Sequence, residues 1–374
     1  MTFCTITIVH NRYLIYNMLK LNRFNSERGI KMSTRDGNGK ITIRMVAQEA
    51  GVSVGSVSNY LNRSTKLSAE TSQKIAEAIK KLDYSPDIIA GSMRRKNSTD
   101  IIVLSPNLNN TFHTNTLSTY TDLANENGYF IHTYGFQYTP ELERKGLIRA
   151  KRSRCCLVVV FNGEGDEEEI QALVESGMPV LLADRRANGL HVNSVAFDNT
   201  KIFEEIVREV KNKGYRRLGV LTEPPTLSNL HRRYTSLVKE AEKAGIRCGK
   251  EEFFSDKTLQ LDNLTNGYLF MSKILSKYAK DELPVCWICS SDNLAIGALK
   301  AFRKYHYKVP QDFSIIGFDD INVASFVNPE LTTVEQNQRV LGEKLWEMTK
   351  ISLSGNVEGN EFIIPQKLIR RETF

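Results

Sequence analysis

The sequence predicts a chain of two fold classes, a small all-α unit near the N-terminus and a larger α/β unit after it. Two observations predict this division. Residues 42–82 carry apolar side chains at helical spacing, interrupted by capping and turn residues. From Ile101 onward, short apolar runs typical of buried strands alternate with amphipathic helices. That alternation is the pattern of a parallel sheet covered on both faces.

Three short helices are predicted in the first unit. The first has one apolar face, formed by Ile43, Val46, Ala47 and Ala50. Gly51 ends this helix in the left-handed conformation that glycine adopts without strain. Ser53 is predicted to cap the second helix, 54–61, and Ser68 to cap the third. The small side chain of Ala47 and the turn at Gly51 favour the tight crossing of a helix-turn-helix.

The exposed side of the second helix carries small and polar side chains, which suit close approach to the base edges and phosphates of a DNA major groove. We therefore predict contacts to double-stranded DNA from eight residues of this unit: Thr42, Ser53, Val54, Gly55, Ser56, Ser58, Asn59 and Asn62.

The charge distribution is compatible with that partner. Residues 1–39 carry six basic and two acidic side chains, residues 40–96 carry ten and five, and the rest of the chain sums to −2, within a net charge of +7. A basic excess confined to one end indicates either a polyanion partner or a solvated basic face.

The composition of the chain and its N-terminal segment favour a globular protein over a membrane or secreted one. The hydrophobic content of 41% and the charged content of 25% are ordinary for a globular protein. No apolar run spans a membrane, and Met1–Val9 lacks the basic start of a secretory signal, so we expect a cytoplasmic protein with no membrane partner. Residues 1–39 have no periodicity, and we expect a disordered or mis-annotated leader with the true start at or near Met32.

The second unit is predicted to hold a sheet whose strands and helices alternate. The strands are expected at 101–104, 129–134, 157–161, 180–183, 218–221, 285–289 and 313–318, and helices at 201–213, 232–244 and 294–305. Cys286 and Cys289 have the spacing of a thiol redox motif but lie inside an apolar run. We expect these cysteines to be structural, with no metal and no cofactor, because no second Cys pair or His cluster completes a zinc site.

Polar residues follow several predicted strands at their carboxyl ends, where open α/β sheets bind ligands. Asp184 follows 180–183, Ser291 and Asp292 follow 285–289, and Asp319 follows 313–318. Carboxylates suit sugar hydroxyls, because each can accept hydrogen bonds from vicinal OH groups. These residues are therefore candidates to hold a small molecule.

Three of the candidates have structural alternatives that the sequence leaves open. Asp292 could instead cap the helix predicted at 294–305. Asp184 could pair with Arg185 or Arg186. Phe112 could pack on one face of a ligand or belong to the core.

The segment Ile41–Asn62 reads ITIRMVAQEAGVSVGSVSNYLN and resembles the N-terminal signature of the LacI/GalR family of bacterial transcription regulators. The likeness extends from about residue 40 to the end of the chain. It includes LSAET at 67–71, LDYSPD at 82–87, DR at 184–185, VAFDN at 195–199, SD at 291–292, VPQD at 309–312, GFDD at 317–320 and PELTT at 329–333.

The resemblance implies an all-α helix-turn-helix head at 40–83, joined by a hinge helix or linker at 84–98 to an α/β core at 99–374. The core is expected to have two lobes, like a periplasmic binding protein. In the family the hinge inserts a side chain into the minor groove, and the matching residue is Met93, flanked by the hinge contacts Ala90 and Arg94. Counting back from Ala244-Gly-Ile246 matches the family's effector-binding arginine to Arg233.

The function implied by the resemblance is a homodimeric repressor that binds a palindromic operator and responds to a small-molecule effector, a sugar or sugar derivative being favoured. A purine-responsive or phosphoprotein-responsive regulator, or a sugar-binding protein without a regulatory role, stays open. No paired catalytic residues or nucleotide loop indicate an enzyme. Two departures from the family pattern are Ser291, where Asn is usual, and Arg154-Cys-Cys-Leu157 in place of Val-Asp-Gly-Ile.

Overall fold

The computed structural model describes residues 41–62, 67–84, 98–162, 167–224, 228–260, 263–355 and 359–374. The chain divides into two compact units, Met1–Lys96 and Asn97–Phe374. The expected leader at 1–39 and the hinge contacts Ala90, Met93 and Arg94 lie outside the described residues. Across the described ranges, no helix combines the length and the apolar character needed to cross a membrane.

The described part of the first unit consists of three helices around a small apolar core. They are α1 (Ile43–Ala50), α2 (Val54–Asn62) and α3 (Ala69–Leu82). Gly51 ends α1 with φ of 63°, as predicted, and its N–H donates to the carbonyl of Ala47. The buried core consists of Val46, Ala47, Ala50, Val57, Ile75 and Ala78.

Side-chain caps fix the starts of α2 and α3. Ser53 Oγ accepts a hydrogen bond from the N–H of Ser56 at 3.1 Å, and Ser68 Oγ accepts one from the N–H of Thr71 at 3.1 Å. An N-cap of this kind stabilises a helix by about 1 kcal/mol. Both predicted caps are confirmed.

The second unit contains strands and helices in alternation. The strands are β1 (Asp100–Ser105), β2 (Phe130–Gly135), β3 (Leu157–Phe161), β4 (Val180–Ala183), β5 (Asn193–Phe197), β6 (Leu218–Thr222), β7 (Phe253–Ser255), β8 (Cys286–Cys289), β9 (Ser314–Asp319), β10 (Thr333–Glu335), β11 (Glu361–Ile364) and β12 (Lys367–Ile369). The helices are α4 (Thr111–Glu126), α5 (Pro140–Arg152), α6 (Glu167–Glu175), α7 (Asn199–Asn212), α8 (Ser228–Ala244), α9 (Asn263–Lys277), α10 (Asp292–Lys304) and α11 (Gln338–Leu353).

These elements form two lobes, each built on its own sheet. The N-lobe sheet has the order β11-β5-β4-β3-β1-β2 and is parallel throughout. The C-lobe sheet has the order β12-β10-β9-β8-β6-β7, in which β12 alone of the described strands is antiparallel. In both sheets the order reverses beside the first strand of the lobe, which opens a crevice at the carboxyl ends of the strands.

The chain passes between the lobes at three places in its described part, after β5, after β10 and after β11. Helix α7 packs its apolar face into the C-lobe core, for example through Phe203. Helix α11 returns to the N-lobe, where Leu341, Leu345 and Trp346 are part of the core. The N-lobe is therefore built from segments on both sides of the C-lobe in the sequence.

Cys286 and Cys289 lie on opposite faces of β8. Cys286 packs in the core beneath α7 and α8, whereas Cys289 packs in the core beneath α9 and α10. Burial raises the pKa of both thiols. Because the two sulfurs face apart and are buried, the predicted structural role fits this placement.

Candidate functional site

A cavity lies between the two lobes, at the carboxyl ends of their strands. Its lining is mostly polar and consists of Pro106, Asn110, Phe112, His113, Tyr138, Asn162 and Asp184 from the N-lobe and Glu223, Asn229, Leu230, Arg233, Ser290, Ser291, Asp319 and Gln336 from the C-lobe side. The volume is about 50 Å³. Sites for drug-sized ligands usually measure roughly 300–1,000 Å³, so a ligand of sugar size would need the lobes to move apart.

Arg233 is the buried cation of this cavity. It lies on α8 and is 4% exposed. Its Nη1 donates to the carbonyl of Ser290 at 3.1 Å and its Nη2 to Oε1 of Gln336 at 3.4 Å. The guanidinium carbon lies 3.7 Å from the ring centroid of Phe318. Stacking and two hydrogen bonds fix the guanidinium plane, while its Nε has no partner among the described residues.

Asp319, the last residue of β9, lies in the same network. Its Oδ1 accepts a hydrogen bond from Nε2 of Gln336 at 2.7 Å, so Gln336 links this carboxylate to Arg233. Burial raises the pKa of Asp319 well above its ordinary value, and the Arg233 guanidinium opposes that rise.

Asp184 follows β4 and reaches the cavity from the N-lobe. Its Oδ2 accepts a hydrogen bond from Nδ2 of Asn229 at 2.7 Å, across the two lobes. Burial raises the pKa of Asp184 to about 6, although Arg233 and Asn229 lower it.

The two neighbours that could have paired with Asp184 have other partners. Arg185 lies 3.6 Å from Glu167, and Arg186 donates to Glu361 at 3.2 Å. The pairing alternative for Asp184 is therefore not the arrangement in the structure.

Glu223 is a third carboxylate of the cavity, and the sequence analysis did not single it out. Asn263 Nδ2 donates to its Oε1 at 2.5 Å and Ser290 Oγ to its Oε2 at 2.5 Å. Burial raises the pKa of its carboxyl group, and these hydrogen bonds oppose that rise. Glu223 follows β6 as Asp184 follows β4, so the rule that selected Asp184 could have found it.

The N-lobe contributes an aromatic wall. The ring of Phe112 lies 5.2 Å from that of His113, centroid to centroid, and 6.1 Å from that of Phe197. Burial lowers the pKa of His113 to about 3, so the imidazole is neutral at physiological pH, and its Nδ1 has no partner within the described ranges. Tyr138, from the loop after β2, packs against the C-lobe core.

Three residues that line the cavity have left-handed backbone without being glycine. The φ angles are 53° at Tyr138, 51° at Asp184 and 115° at Asp319. Such conformations cost of order 1–3 kcal/mol each and persist where the surrounding structure fixes them. Their presence in one cavity indicates that the positions of these side chains are held by the fold.

The structure brings five of the six predicted effector residues together at the cavity: Phe112, Asp184, Arg233, Ser291 and Asp319. It places the sixth, Asp292, elsewhere. Asp292 accepts hydrogen bonds from the hydroxyl of Thr333 and from the N–H of Ile321 at 2.8 Å. Its side chain lies behind the cavity, where it holds β9, β10 and α10 together.

The alternative role for Asp292, capping α10, also belongs to another residue. Ser291 is the N-cap, and its Oγ accepts from the N–H of Leu294 at 3.3 Å. Asp292 is packed so closely that a Cβ on Gly317 would come within 2.1 Å of its Oδ1. The predicted ligand role of Asp292 is therefore not supported by its position.

Tyr138, Asn229 and Gln336 also line the cavity and were not predicted. Tyr138 lies in a loop and Asn229 near the start of α8, where the strand-end rule does not apply. Gln336 directly follows β10, a strand that the sequence analysis did not identify. Asn110 and Asn162 are further amide donors of the lining. In the part of the chain that the structure describes, no group of His, Cys, Asp and Glu is placed to hold a metal ion.

The predicted DNA contacts of the first unit lie at the start of α1 and along α2. Ser53, Val54 and Gly55 are exposed, and Val54 is 37% exposed although it is apolar. Ser56, Ser58 and Asn59 are half-buried along α2, Thr42 is the N-cap residue of α1, and Asn62 is the last residue of α2.

Comparisons with known proteins match the helical unit and the α/β unit to two separate family models. Residues 42–87 match the model described as bacterial regulatory proteins, lacI family, and residues 207–374 match the periplasmic binding protein-like domain. The HTH-type transcriptional regulator RegA of Clostridium saccharobutylicum is 27% identical over 334 residues, which cover 89% of this chain and 98% of RegA.

Two solved structures share the fold. The lac repressor dimer bound to operator and the anti-inducer ONPF has a TM-score of 0.75 at 21% identity, covering 89% of this chain and 99% of its own. The transcriptional regulator CelR–cellobiose complex has a TM-score of 0.65 at 20% identity, covering 90% and 100%. Their agreement with this chain extends over both units.

Proposed function

Because the chain belongs to the LacI family of bacterial regulatory proteins, we propose that it represses transcription as a homodimer bound to a palindromic operator and is gated by a small-molecule effector. One observation carries the proposal: a single chain joins a helix-turn-helix with an exposed recognition helix to a two-lobed core with a buried polar cavity. As a regulator of this kind it would act in the cytoplasm.

The DNA-reading part of the proposal rests on α2. In a helix-turn-helix the N-terminal residues of the second helix contact base edges in the major groove. Ser53, Val54 and Gly55 are the exposed residues at that end, and residues 84–98 would supply the hinge with Ala90, Met93 and Arg94. Asn59 stands where the family commonly has Arg, and asparagine pairs best with adenine whereas arginine pairs with guanine.

The effector part of the proposal rests on the cavity lining. Carboxylates and amides at opposite sides of the cavity can accept from and donate to vicinal hydroxyls, which suits a sugar or sugar derivative. The structure of CelR with cellobiose is a neighbour of the same fold that holds a sugar.

Gating follows from the two lobes. A ligand that contacts Asp184 of the N-lobe together with Asn229 and Asp319 of the C-lobe would bind the closed and open lobes with different affinity. Any such difference shifts the equilibrium between the two states. If the two states also hold the DNA-binding units differently, effector and operator affinities are coupled by the same free energy in both directions.

A gel-shift experiment with the DNA upstream of the protein's own gene tests the regulator. We expect a retarded complex that specific competitor DNA removes. Absence of binding to this DNA and to any sequence enriched from a random library would contradict the proposal, and turnover of a sugar would indicate an enzyme instead.

Selection from random DNA tests the role of Asn59. We expect an inverted repeat with adenine opposite Asn59, and Asn59→Arg should shift the preferred base toward guanine, with about 1–3 kcal/mol of changed discrimination. If the wild type and the variant select the same base, Asn59 is not a specificity residue; the alternative role is a contact to a phosphate.

A further inference from the structure

The cavity between the lobes contains more buried acidic side chains than basic ones. Asp184, Glu223 and Asp319 line it, and Arg233 is the one basic side chain in its described lining. All four side chains are at most 9% exposed. If the three carboxyls are ionised, the lining carries two uncompensated negative charges.

Within the described ranges, none of the three carboxylates lies within 4.0 Å of a basic nitrogen atom. Arg233 donates instead to the carbonyl of Ser290 and the amide oxygen of Gln336. The partners of the carboxylates are the neutral donors Asn229, Ser290, Asn263 and Gln336. A buried carboxylate without a cation is costly, so each of these groups would gain from a positive charge in the cavity.

Other common classes of ligand do not match a cavity in which buried carboxylates outnumber basic side chains. A sugar phosphate or carboxylate would bring further negative charge against three acids. A divalent metal needs several ligands on one side of the ion, and no such group is placed to hold one in the described part of the chain. A neutral sugar would satisfy hydrogen bonds but would leave the charge uncompensated.

We propose, on the basis of the effector role proposed above, that the effector is a polyhydroxylated molecule that carries an ammonium group, an amino sugar by class, and that Glu223 is the residue that selects the ammonium. An ammonium group has three donors and a compact charge. Asn110 and Ser291 also line the cavity and would face the hydroxyl groups of the ligand.

Glu223 is suited to that selection by its supports. Asn263 and Ser290 each donate to one of its oxygens at 2.5 Å, so the carboxylate is held on the C-lobe with one donor at each oxygen. A carboxylate has about four lone-pair sites, and the cavity side can therefore accept the ammonium. The raised pKa of the Glu223 carboxyl group, caused by burial, agrees with a site in which three carboxyl groups share one basic side chain of the described lining.

The test is calorimetric titration of the full-length protein near pH 7 with glucosamine, galactosamine and mannosamine, each matched to its N-acetyl form and its parent hexose. We expect at least one amine to bind tenfold or more tightly than both of its neutral partners. A neutral hexose that binds as tightly as its amine, or an absence of amine binding at millimolar concentration, overturns the proposal.

Variants assign the selection to Glu223. Glu223→Gln keeps the shape and the acceptor but removes the charge, and it should reduce the preference for the amine about tenfold. Asp184→Asn should reduce it in the same direction. Glu240→Gln, a buried glutamate of α8 that pairs with Lys243 away from the cavity, is the control and should keep the full preference.

Thermal unfolding of each variant reports whether it is folded, and an unchanged preference in a folded Glu223→Gln protein contradicts the assignment. Failure of this inference is distinct from failure of the proposed function. Suppose that a neutral sugar binds as tightly as its amine and makes the protein release the operator in a gel shift. The repressor function would then stand, and the proposal of an amino-sugar effector would be wrong. A wild-type protein that binds no operator would overturn the repressor whatever it binds between the lobes.

Discussion

The two lobes of the core have the same strand order but contribute different chemistry to the cavity between them. The N-lobe provides an aromatic wall of Phe112, His113 and Tyr138 and one carboxylate, Asp184. The C-lobe provides Arg233 together with Glu223 and Asp319. A shared fold therefore places side chains at equivalent strand ends, while the sequence at those ends decides whether a lobe packs against a ligand or bonds to it.

This difference would matter for a pocket that closes on a ligand, as proposed above. Aromatic packing is tolerant of small shifts, whereas charged hydrogen bonds depend on distance and angle. The Asp184–Asn229 hydrogen bond joins the lobes directly. The N-lobe is thus mainly a packing lobe and the C-lobe a bonding lobe, and we expect substitutions in the two to have different effects.

The largest effect is expected from Phe112→Ala. Phe112 is 3% exposed and packs on His113 and Phe197, so its removal leaves a cavity in the N-lobe. We expect a loss of about 3–5 kcal/mol in the free energy of unfolding, measured by chemical denaturation. Phe130→Ala, on the same lobe but 59% exposed, is the control and should change stability by less than about 0.5 kcal/mol. Equal losses in both variants would show that Phe112 has no packing role.

The next effect concerns the bonding lobe. Arg233→Ala removes the hydrogen bonds to Ser290 and Gln336 and leaves three carboxylates without their shared cation. We expect effector affinity to fall by about 1.5–3 kcal/mol, tenfold or more, with operator affinity nearly unchanged. The half-buried neighbour Arg232 bonds to Asn188, and Arg232→Ala should keep effector affinity. Calorimetry and gel shifts on both variants measure this, and equal affinity in the two would remove Arg233 from the site.

The smallest effect tests the single carboxylate of the packing lobe. The pKa of Asp184 is raised by burial from 3.8 to about 6 in the folded protein. Its contribution to stability is therefore present below about pH 4 and is lost as the pH rises through about 6. A pKa raised by two units means that ionised Asp184 lowers the free energy of unfolding by about 3 kcal/mol at high pH. Asp184→Asn removes this loss, but its weaker hydrogen bond to Asn229 offsets about 1 kcal/mol of the gain.

We expect Asp184→Asn to gain about 1–2 kcal/mol over the wild type at pH 8 and to lose that advantage near pH 4.5. Chemical denaturation at both pH values measures the difference. The exposed Asp122→Asn is the control and should show no such pH dependence. A pH-independent difference for Asp184→Asn would mean that this carboxyl group is ionised across the whole range.

The DNA-binding unit was predictable almost residue by residue because its signals are local. Gly51, Ser53 and Ser68 mark helix ends within a few residues of the groups they cap. In the core, seven strands were predictable from their apolar runs, but β5, β7, β10, β11 and β12 were not identified as strands. Three of these, β7, β10 and β12, have three residues each, and β5 and β11 begin with polar residues. Pairing with distant neighbours decides their conformation, as where β11 pairs with β5.

The cavity was predictable only where the strand-end rule applies. Asp184, Ser291 and Asp319 follow predicted strands and line it. Asp292 follows a strand too, but adjacent residues at the start of a helix point in different directions, so only Ser291 faces the cavity. Gln336 follows β10 and was missed because β10 was not identified as a strand. Tyr138 lies in the loop after β2 and reaches the cavity through tertiary contacts that no local pattern records.

The return of the chain to the N-lobe through α11 and β11 has a consequence for synthesis on the ribosome. The N-lobe strand β5 ends at Phe197, whereas β11, which pairs with it, begins at Glu361. At roughly 5–20 residues per second, that interval lasts on the order of 10–30 s. During this time the nascent N-lobe lacks Leu341, Leu345 and Trp346 from its core and exposes the apolar face that they cover. The N-lobe is therefore expected to be a client of chaperones until the last part of the chain emerges.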